Sequence, residues 1–172
     1  YGIGAAAGPA IRLRVPRGTR VAFDDRVRGR IEQDVGEAVG DFVLRRADGL
    51  WAYQLAVVVD DAAQHVTEVV RGADLLDSTP RQILLQRRLD LPTPAYVHLP
   101  LLLDAHGRKL SKSHAALPID AASPLPALQH AWRQLGQAPF ADIKDVPSFL
   151  DRACARFEPA RIRLTTIDCA MH

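Results

Sequence analysis

The chain has 172 residues, of which 48% are hydrophobic, and its 22 Lys and Arg nearly balance its 20 Asp and Glu. This composition is typical of a globular protein and excludes the disordered and fibrous classes. No apolar run reaches the roughly 18 residues that a membrane-spanning helix needs. The cysteines, Cys154 and Cys169, have no ligand-like spacing, so we predict reduced thiols in a cytoplasmic protein, with neither a disulfide scaffold nor a zinc site.

The first segment, residues 1–49, is predicted to be a small β-rich insertion. Residues 11–15 alternate apolar and charged side chains, as a half-buried strand does. Residues 21–23, 26–31 and 41–44 are further candidate strands. Arginine is concentrated here, and its planar guanidinium suits phosphates and base edges, but solvated strand faces explain these residues more simply.

The second segment, residues 50–119, has the pattern of a parallel α/β sheet. Residues 66–70 and 96–100 read as strands, and a helix is predicted between them. Residues 77–79 supply capping side chains for that helix, and Pro80 suits its first turn, where a missing N–H is no loss. Residues 51–61 are ambiguous, because three consecutive valines favour a strand whereas the length favours a helix.

The third segment, residues 120–172, is predicted to be helical. Two sets of apolar side chains recur at helical spacing, and Gly136 is placed to end the first helix. Cys154 is expected on the apolar face of the second helix. The first set is Leu125, Leu128, Trp132 and Leu135, and the second is Phe149, Leu150, Ala153, Cys154 and Phe157.

Residues 109–113 form a candidate polyphosphate loop, because they combine Lys109 and Lys112 with Ser111 and Ser113. Lysines neutralise the charge that builds on phosphates during displacement, and hydroxyls donate hydrogen bonds to them. The loop follows the predicted strand at 96–100, and ligands bind beyond the carboxyl ends of strands in open α/β sheets. Without that context a solvated loop explains the same pentapeptide.

Two further side chains are candidate ligand contacts. Arg71 ends a predicted strand, where its guanidinium can bind a carboxylate through two hydrogen bonds or pair with Asp74 or Asp77 for structure. Tyr53 can present its hydroxyl to a polar ligand or serve as a packed aromatic with its tip in water. The histidines are not arranged as metal ligands, so no metal site is predicted.

These stretches, in this order, resemble the glutamyl-tRNA synthetases, a family of class I aminoacyl-tRNA synthetases. The loop at 109–113 matches the Lys-Met-Ser-Lys-Ser signature of that family, with Leu110 in place of Met. The resemblance implies the C-terminal half of a Rossmann-like α/β catalytic core, with residues 1–49 as an acceptor-binding-like insertion and residues 51–61 as a helix. The matching stretches are DFVLRR (41–46), DG (48–49), AYQLAVVVDD (52–61), VTEVVRGADL (66–75), TPRQ (79–82) and HLPL (98–101) leading into KLSKS (109–113).

The resemblance also implies a ligand for each candidate residue. Tyr53 and Arg71 match the residues that bind L-glutamate, and Lys112 matches the ATP-binding second lysine of the signature, with Lys109 assisting. The implied cofactor is ATP with Mg²⁺. Zinc is expected in the full-length family, but the cysteines that bind it are absent from this sequence.

Within the family the chain resembles a short branch whose members attach glutamate to the queuosine base of tRNA(Asp). Residues 71–75 follow the variant of that branch, and the stretch after Ser113 is too short for an anticodon-binding domain. The implied partners are L-glutamate, ATP and tRNA(Asp), with no membrane, and a monomer is expected. The alternatives are a fragment of a synthetase that charges tRNA(Glu) and a noncatalytic RNA-binding fragment.

The family's other signature, His-x-Gly-His, and its first glutamate-binding residues lie upstream of the residues that match here. The chain does not begin with Met, so we expect a fragment or a processed form. A class I active site needs both signatures. These residues alone are therefore expected not to activate glutamate.

Overall fold

The computed structural model describes residues 8–103, 109, 120–162 and 167–168. They form two compact units, Tyr1–His98 and Leu99–His172. No helix among the described residues is long and apolar enough to cross a membrane. The strands are β1 (Ile11–Leu13), β2 (Arg20–Asp25), β3 (Gly29–Asp34), β4 (Phe42–Arg45), β5 (Glu68–Gly72), β6 (Ala95–Leu99), β7 (Leu102–Leu103) and β8 (Ile167–Asp168); the α-helices are α1 (Val35–Ala38), α2 (Tyr53–Ala63), α3 (Thr79–Arg88), α4 (Leu125–Gln134) and α5 (Val146–Arg156); and 3-10 helices span Ala73–Ser78 and Pro159–Arg161.

A four-stranded mixed sheet with the order β3-β2-β6-β5 organises the first unit. Strands β2 and β3 form an antiparallel hairpin whose register runs from Arg20 opposite Asp34 to Asp25 opposite Gly29. Strand β2 is parallel to β6, with Asp25 beside Tyr96. The predicted α/β class with a parallel sheet is therefore confirmed, and the end of β2 lies against the strand that carries His98.

The core of the first unit lies between this sheet and helices α2 and α3. Its buried side chains come from β2, α2, α3 and β6, joined by Val15, Val35 of α1 and Phe42 of β4. Each fully buried aliphatic side chain contributes about 1.5–3 kcal/mol to folding. Since α2 and α3 both pack here, the residues that follow β5 and precede α3 are held close to the sheet. The core residues with the lowest exposure include Val21, Val58, Ile83, Leu85 and Tyr96.

Residues 51–61, which were ambiguous in sequence, lie mostly in α2. Val58 is 2% exposed whereas Val59 is 44% exposed, as expected when adjacent residues diverge on a helix. Packing against α3 thus overrides the strand propensity of the valines.

The start of α3 differs from the prediction. The 3-10 helix Ala73–Ser78 runs directly into α3, and Ser78 has a helical backbone with no side-chain capping bond. An N-cap residue needs an extended backbone to bond the next turn, so the predicted cap at 77–79 was wrong. The Thr79 hydroxyl does not cap the helix and instead accepts a hydrogen bond from Arg71.

The first predicted segment contributes to two sheets. Strands β1 and β4 pair with each other, whereas β2 and β3 join β6 and β5. The strands predicted at 66–70 and 96–100 are observed as β5 and β6 with ends shifted by one or two residues. The division into domains at 1–49, 50–119 and 120–172 stays a prediction.

The second unit contains α4 and α5, both where apolar periodicity placed them. Gly136 follows α4 with a φ of 74°, and a Cβ there would lie 2.2 Å from the Arg161 carbonyl oxygen, so only glycine fits. Cys154 is exposed, contrary to its predicted place on the apolar face, because the packed face of α5 is centred on Phe149. The stretch after β6 includes β7, which pairs in parallel with β8.

Candidate active site

Arg71, near the end of β5, is the centre of the candidate site. Its Nε donates a hydrogen bond to Nε2 of His98 at 3.0 Å. Its Nη2 donates to Oγ1 of Thr79 at 2.7 Å and to the Leu75 carbonyl oxygen at 3.4 Å. None of these partners is a carboxylate, so the guanidinium is fixed along one edge by neutral acceptors.

His98 is held from its other side by Asp25. The two side chains are fully buried, and Nδ1 of His98 lies 2.7 Å from Oδ2 of Asp25. The second carboxylate oxygen of Asp25 accepts hydrogen bonds from the backbone N–H groups of Arg28 at 2.8 Å, Val27 at 3.0 Å and His98 at 3.4 Å. A continuous hydrogen-bonded path therefore runs from the end of β2 to Arg71.

The buried pair consists of an ionised carboxylate and a neutral imidazole. Burial raises the pKa of Asp25, but hydrogen bonds from His98 and from the backbones of Arg28 and Val27 outweigh it, so the pKa lies below its ordinary value. The pKa of His98 is lowered, first by burial and also by the positive charge of Arg71, against the raising effect of Asp25. At neutral pH His98 can therefore accept a hydrogen bond from Arg71.

Tyr96 supports the same guanidinium from one face. The Arg71 Cζ lies 5.3 Å from the centre of the Tyr96 ring, within the range of a cation–π interaction. The phenol oxygen accepts a hydrogen bond from Gln86 at 3.0 Å, and burial raises the Tyr96 pKa. The ring is thus a neutral platform beneath Arg71.

Asp61 on α2 lies within the electrostatic range of Arg71. Burial raises the pKa of Asp61, the charge of Arg71 lowers it, and that of Asp60 raises it, with a net upward shift. Arg71 therefore influences the pKa of both His98 and Asp61.

Tyr53 begins α2 in the same unit as Arg71. Its side chain is 53% exposed. The next residue, Gln54, donates a hydrogen bond to Ser78 at 3.2 Å, and Ser78 precedes Thr79, a partner of Arg71. The start of α2 is thereby tied to the start of α3, so the two predicted glutamate-binding residues come from elements that are joined by side-chain hydrogen bonds.

Only the first residue of the predicted phosphate loop is described. Lys109 forms an isolated antiparallel bridge with Leu103 of β7. Lys112, Ser111 and Ser113 lie outside the described residues. Their assignment stays a prediction.

The sequence predicted Arg71 but missed His98 and Asp25. Both are polar residues of sheet strands, and their complete burial requires polar partners. A charged residue at the end of an apolar strand was the available signal, but the two are 73 residues apart, and nothing local indicates their contact.

Among the described residues, no group of three or more histidine, cysteine, aspartate or glutamate side chains could hold a metal ion. These residues therefore do not fit a zinc site, and no step of the chemistry is assigned to zinc.

Comparisons with known proteins identify the family. The model for "tRNA synthetases class I (E and Q), catalytic domain" matches residues 4–123. A glutamyl-Q tRNA(Asp) synthetase of Xanthomonas campestris pv. campestris (strain 8004) is 61% identical over 94% of this chain and 55% of its own length. One of Burkholderia mallei (strain ATCC 23344) is 63% identical over 75% of this chain and 44% of its own length. The chain thus spans about half the length of the curated relatives it matches.

The fold agrees with that family. A crystal structure of a glutamate tRNA ligase from Elizabethkingia meningosepticum CCUG26117 matches with a TM-score of 0.73 and 22% identity, covering 92% of this chain and 36% of the ligase. A glutamate-tRNA synthetase from Elizabethkingia anophelis gives a TM-score of 0.72 at 24% identity, with 94% and 36% covered. The chain therefore belongs to the class I aminoacyl-tRNA synthetase family, as part of the glutamate- and glutamine-type catalytic domain.

Proposed function

We propose that the protein to which this chain belongs activates L-glutamate with ATP and transfers it to the queuosine base of tRNA(Asp). The observation that carries the proposal is the fixed guanidinium of Arg71, because among the described residues none accepts a hydrogen bond from its Nη1. A ligand carboxylate can occupy that position. The names of the relatives at 61–63% identity support glutamate and tRNA(Asp) as the substrates.

Each site residue has a proposed role. Arg71 binds a carboxylate of glutamate, and Tyr53, whose side chain is exposed, contacts the same substrate through its hydroxyl. Lys112 neutralises the phosphates of ATP, with Lys109 assisting. ATP binds as its complex with Mg²⁺, and no described residue is assigned as a ligand of that ion.

The chemistry follows from these roles. The α-carboxylate of glutamate attacks the α-phosphate of ATP, the bond to the β-phosphate breaks, and pyrophosphate leaves. Negative charge builds on the leaving phosphates, so a lysine beside them lowers the barrier. A nucleophile of the queuosine base then displaces AMP from the activated glutamate. The cytoplasmic location and the monomeric state stay predictions of the sequence.

The test is glutamate-dependent exchange of pyrophosphate into ATP, measured on the full-length protein with and without tRNA. Exchange that needs no tRNA, followed by transfer of labelled glutamate to queuosine-containing tRNA(Asp), supports the proposal. A strict requirement for tRNA(Glu), with transfer to that tRNA, identifies an ordinary glutamyl-tRNA synthetase instead. Binding of tRNA without any exchange identifies a noncatalytic RNA-binding protein.

A further inference from the structure

We propose that His98, oriented by Asp25, is a positioning residue for Arg71 and sets the direction in which its guanidinium meets the substrate carboxylate. The inference rests on the proposed function only for the identity of that carboxylate. The hydrogen-bonded arrangement itself is a property of the fold. His98 and Asp25 act through Arg71 and are not proposed to touch the substrate.

The direction of each hydrogen bond is dictated by Arg71. A guanidinium has donors and no acceptor, so Nε of Arg71 must donate to Nε2 of His98. Nε2 is therefore unprotonated, and in the neutral ring the proton is on Nδ1. Nδ1 then donates to Oδ2 of Asp25 over 2.7 Å.

Asp25 is in turn unable to rotate freely. Its Oδ1 accepts three backbone N–H groups, two of them from the turn after β2, at Val27 and Arg28. The side chain is fully buried, so turning it would leave these donors without a partner. Asp25 therefore selects one ring tautomer of His98, and that tautomer accepts Arg71.

Thr79 completes the positioning. Its Oγ1 accepts a hydrogen bond from Nη2 of Arg71 and lies 3.1 Å from Nε2 of His98. With Nε and Nη2 both held, the guanidinium plane is fixed, and none of the described residues accepts a hydrogen bond from Nη1. A flexible arginine would have to be ordered when the substrate binds, whereas this one is ordered beforehand.

Asp25→Asn is the decisive variant because it changes one atom. The amide oxygen must remain at the Oδ1 position to accept the backbone N–H groups, so the NH₂ group faces His98. Nδ1 then becomes the acceptor and the proton moves to Nε2, where it points at the Nε–H of Arg71. Two donors now face each other, and Arg71 is expected to leave its position.

The first measurement is NMR of the full-length protein with ¹⁵N-labelled histidine and arginine. In the wild type we expect His98 with a protonated Nδ1 and an unprotonated Nε2, and a slowly exchanging Nε–H signal of Arg71, assigned with Arg71→Lys. In Asp25→Asn we expect the reversed tautomer and fast exchange of that Nε–H. A wild-type His98 that carries its proton on Nε2 overturns the proposal, whether or not the protein activates glutamate.

The second measurement is the KM for glutamate and for ATP in pyrophosphate exchange. Asp25→Asn and His98→Leu should raise the KM for glutamate about ten- to hundredfold, the range for a lost hydrogen bond to a charged group, with little change in the KM for ATP. His98→Gln, whose amide oxygen can accept from Arg71, should recover part of the loss. An unchanged glutamate KM in folded Asp25→Asn overturns the proposal.

Two control variants separate positioning from stability. Val58→Ala removes core packing without touching the network, and Val58 is only 2% exposed. It should lower stability with no selective effect on the glutamate KM. His130→Gln changes an exposed histidine on α4, outside the network, and should leave the glutamate KM unchanged. A glutamate KM raised equally by Val58→Ala would mean that Asp25 and His98 act only through stability. Absence of exchange in the wild type would contradict the proposed function, and the NMR result would still decide the positioning role.

Discussion

The first unit buries a polar network beside its apolar core, whereas the helices of the second unit pack through a cluster of aromatic rings. In the first, Asp25, His98, Arg71 and Thr79 form a buried or half-buried network joined by directional hydrogen bonds. In the second, α4 and α5 pack through aromatic rings, with Trp132 between 5.0 and 6.1 Å from the ring centres of Phe140, Phe149 and Phe157.

Substitutions in the aromatic cluster and in the polar network should therefore affect different properties, stability in one case and function in the other. Aromatic packing is non-directional to a first approximation, so its loss appears mainly in stability. A polar network is directional, so a change of one donor or acceptor redirects a functional group even where the fold survives. Substitutions in the polar network should therefore change function, and substitutions in the aromatic cluster around Trp132 should change stability.

The largest effect is expected for Trp132→Ala. The ring is 7% exposed, and its removal should lower the free energy of unfolding by about 3–5 kcal/mol. Trp132→Phe keeps one aromatic ring but loses part of the packing and the hydrogen bond from Nε1 to the Ala138 carbonyl oxygen at 2.7 Å, so it should cost less, about 1–3 kcal/mol. Urea unfolding followed by circular dichroism measures both. Equal losses for the two variants would show that the hydrogen bond, not the aromatic packing, dominates.

The second largest effect is expected for Arg71→Lys, which keeps the positive charge but removes the planar guanidinium and its paired N–H donors. The ammonium group cannot bond His98, Thr79 and a carboxylate in the same plane, so kcat/KM for glutamate should fall about a hundredfold, or about 2.7 kcal/mol. Pyrophosphate exchange on the full-length protein measures it. Arg152→Lys on α5 is the matched control: it loses a hydrogen bond to the Ala141 carbonyl oxygen, but it lies outside the network and should leave kcat/KM for glutamate unchanged. If Arg71→Lys lowered the free energy of unfolding without lowering kcat/KM, the polar network would serve stability and not function.

The third prediction concerns pH. The pKa of His98 is lowered in the folded state, so the unfolded chain binds a proton first as the pH falls. The contribution of His98 to stability is therefore full above its ordinary pKa of 6.5 and is lost as the pH decreases toward its folded value. The lowered pKa of Asp25 adds a loss in the same direction below 3.8.

Unfolding measured between pH 8 and pH 4 tests this sign. His98→Gln should flatten the slope that begins near pH 6.5. If the free energy of unfolding of the wild type increased as the pH was lowered from 7 to 5, the neutral state assigned to His98 would be contradicted.

The smallest effect is expected for Cys154→Ser. The thiol is exposed on α5, so the free energy of unfolding should change by less than about 0.5 kcal/mol. Phe149→Leu, on the packed face of the same helix, should cost more. Thermal unfolding of the two variants compares the exposed and packed faces of α5 directly. A large loss of stability for Cys154→Ser would support the prediction that Cys154 lies on the apolar face.

The helices and strands were largely predictable because their signals are local. Apolar spacing placed α4 and α5, and Gly136 ended α4 as expected. The helix cap at 77–79 failed because a preceding 3-10 helix changes the backbone at Ser78, which no residue pattern indicated.

The site was predictable only in part. Arg71 was recognised from its place at a strand end, but its orientation depends on His98 and Asp25, which meet through the parallel pairing of β2 with β6. Such pairing joins distant parts of the chain, and single-sequence periodicity carries no information about it. Lys112 lies outside the described residues, so the phosphate loop stays a prediction.

The contact between Asp25 and His98 also bears on the order of folding. The hairpin of β2 and β3 closes through neighbouring residues, whereas the Asp25–His98 contact closes a loop of 73 residues and has the greater entropic cost. We expect the hairpin to form early. The Arg71 guanidinium can reach its hydrogen-bonded position only when β6, which carries His98, pairs with β2. Pulse-labelled hydrogen exchange during refolding should therefore protect the Phe23 and Ile31 amides, which face each other across the hairpin, before the His98 amide. A chain caught between these steps has two of the four strands of its sheet paired but not yet its binding group, so competence for the substrate would be the last property it acquires.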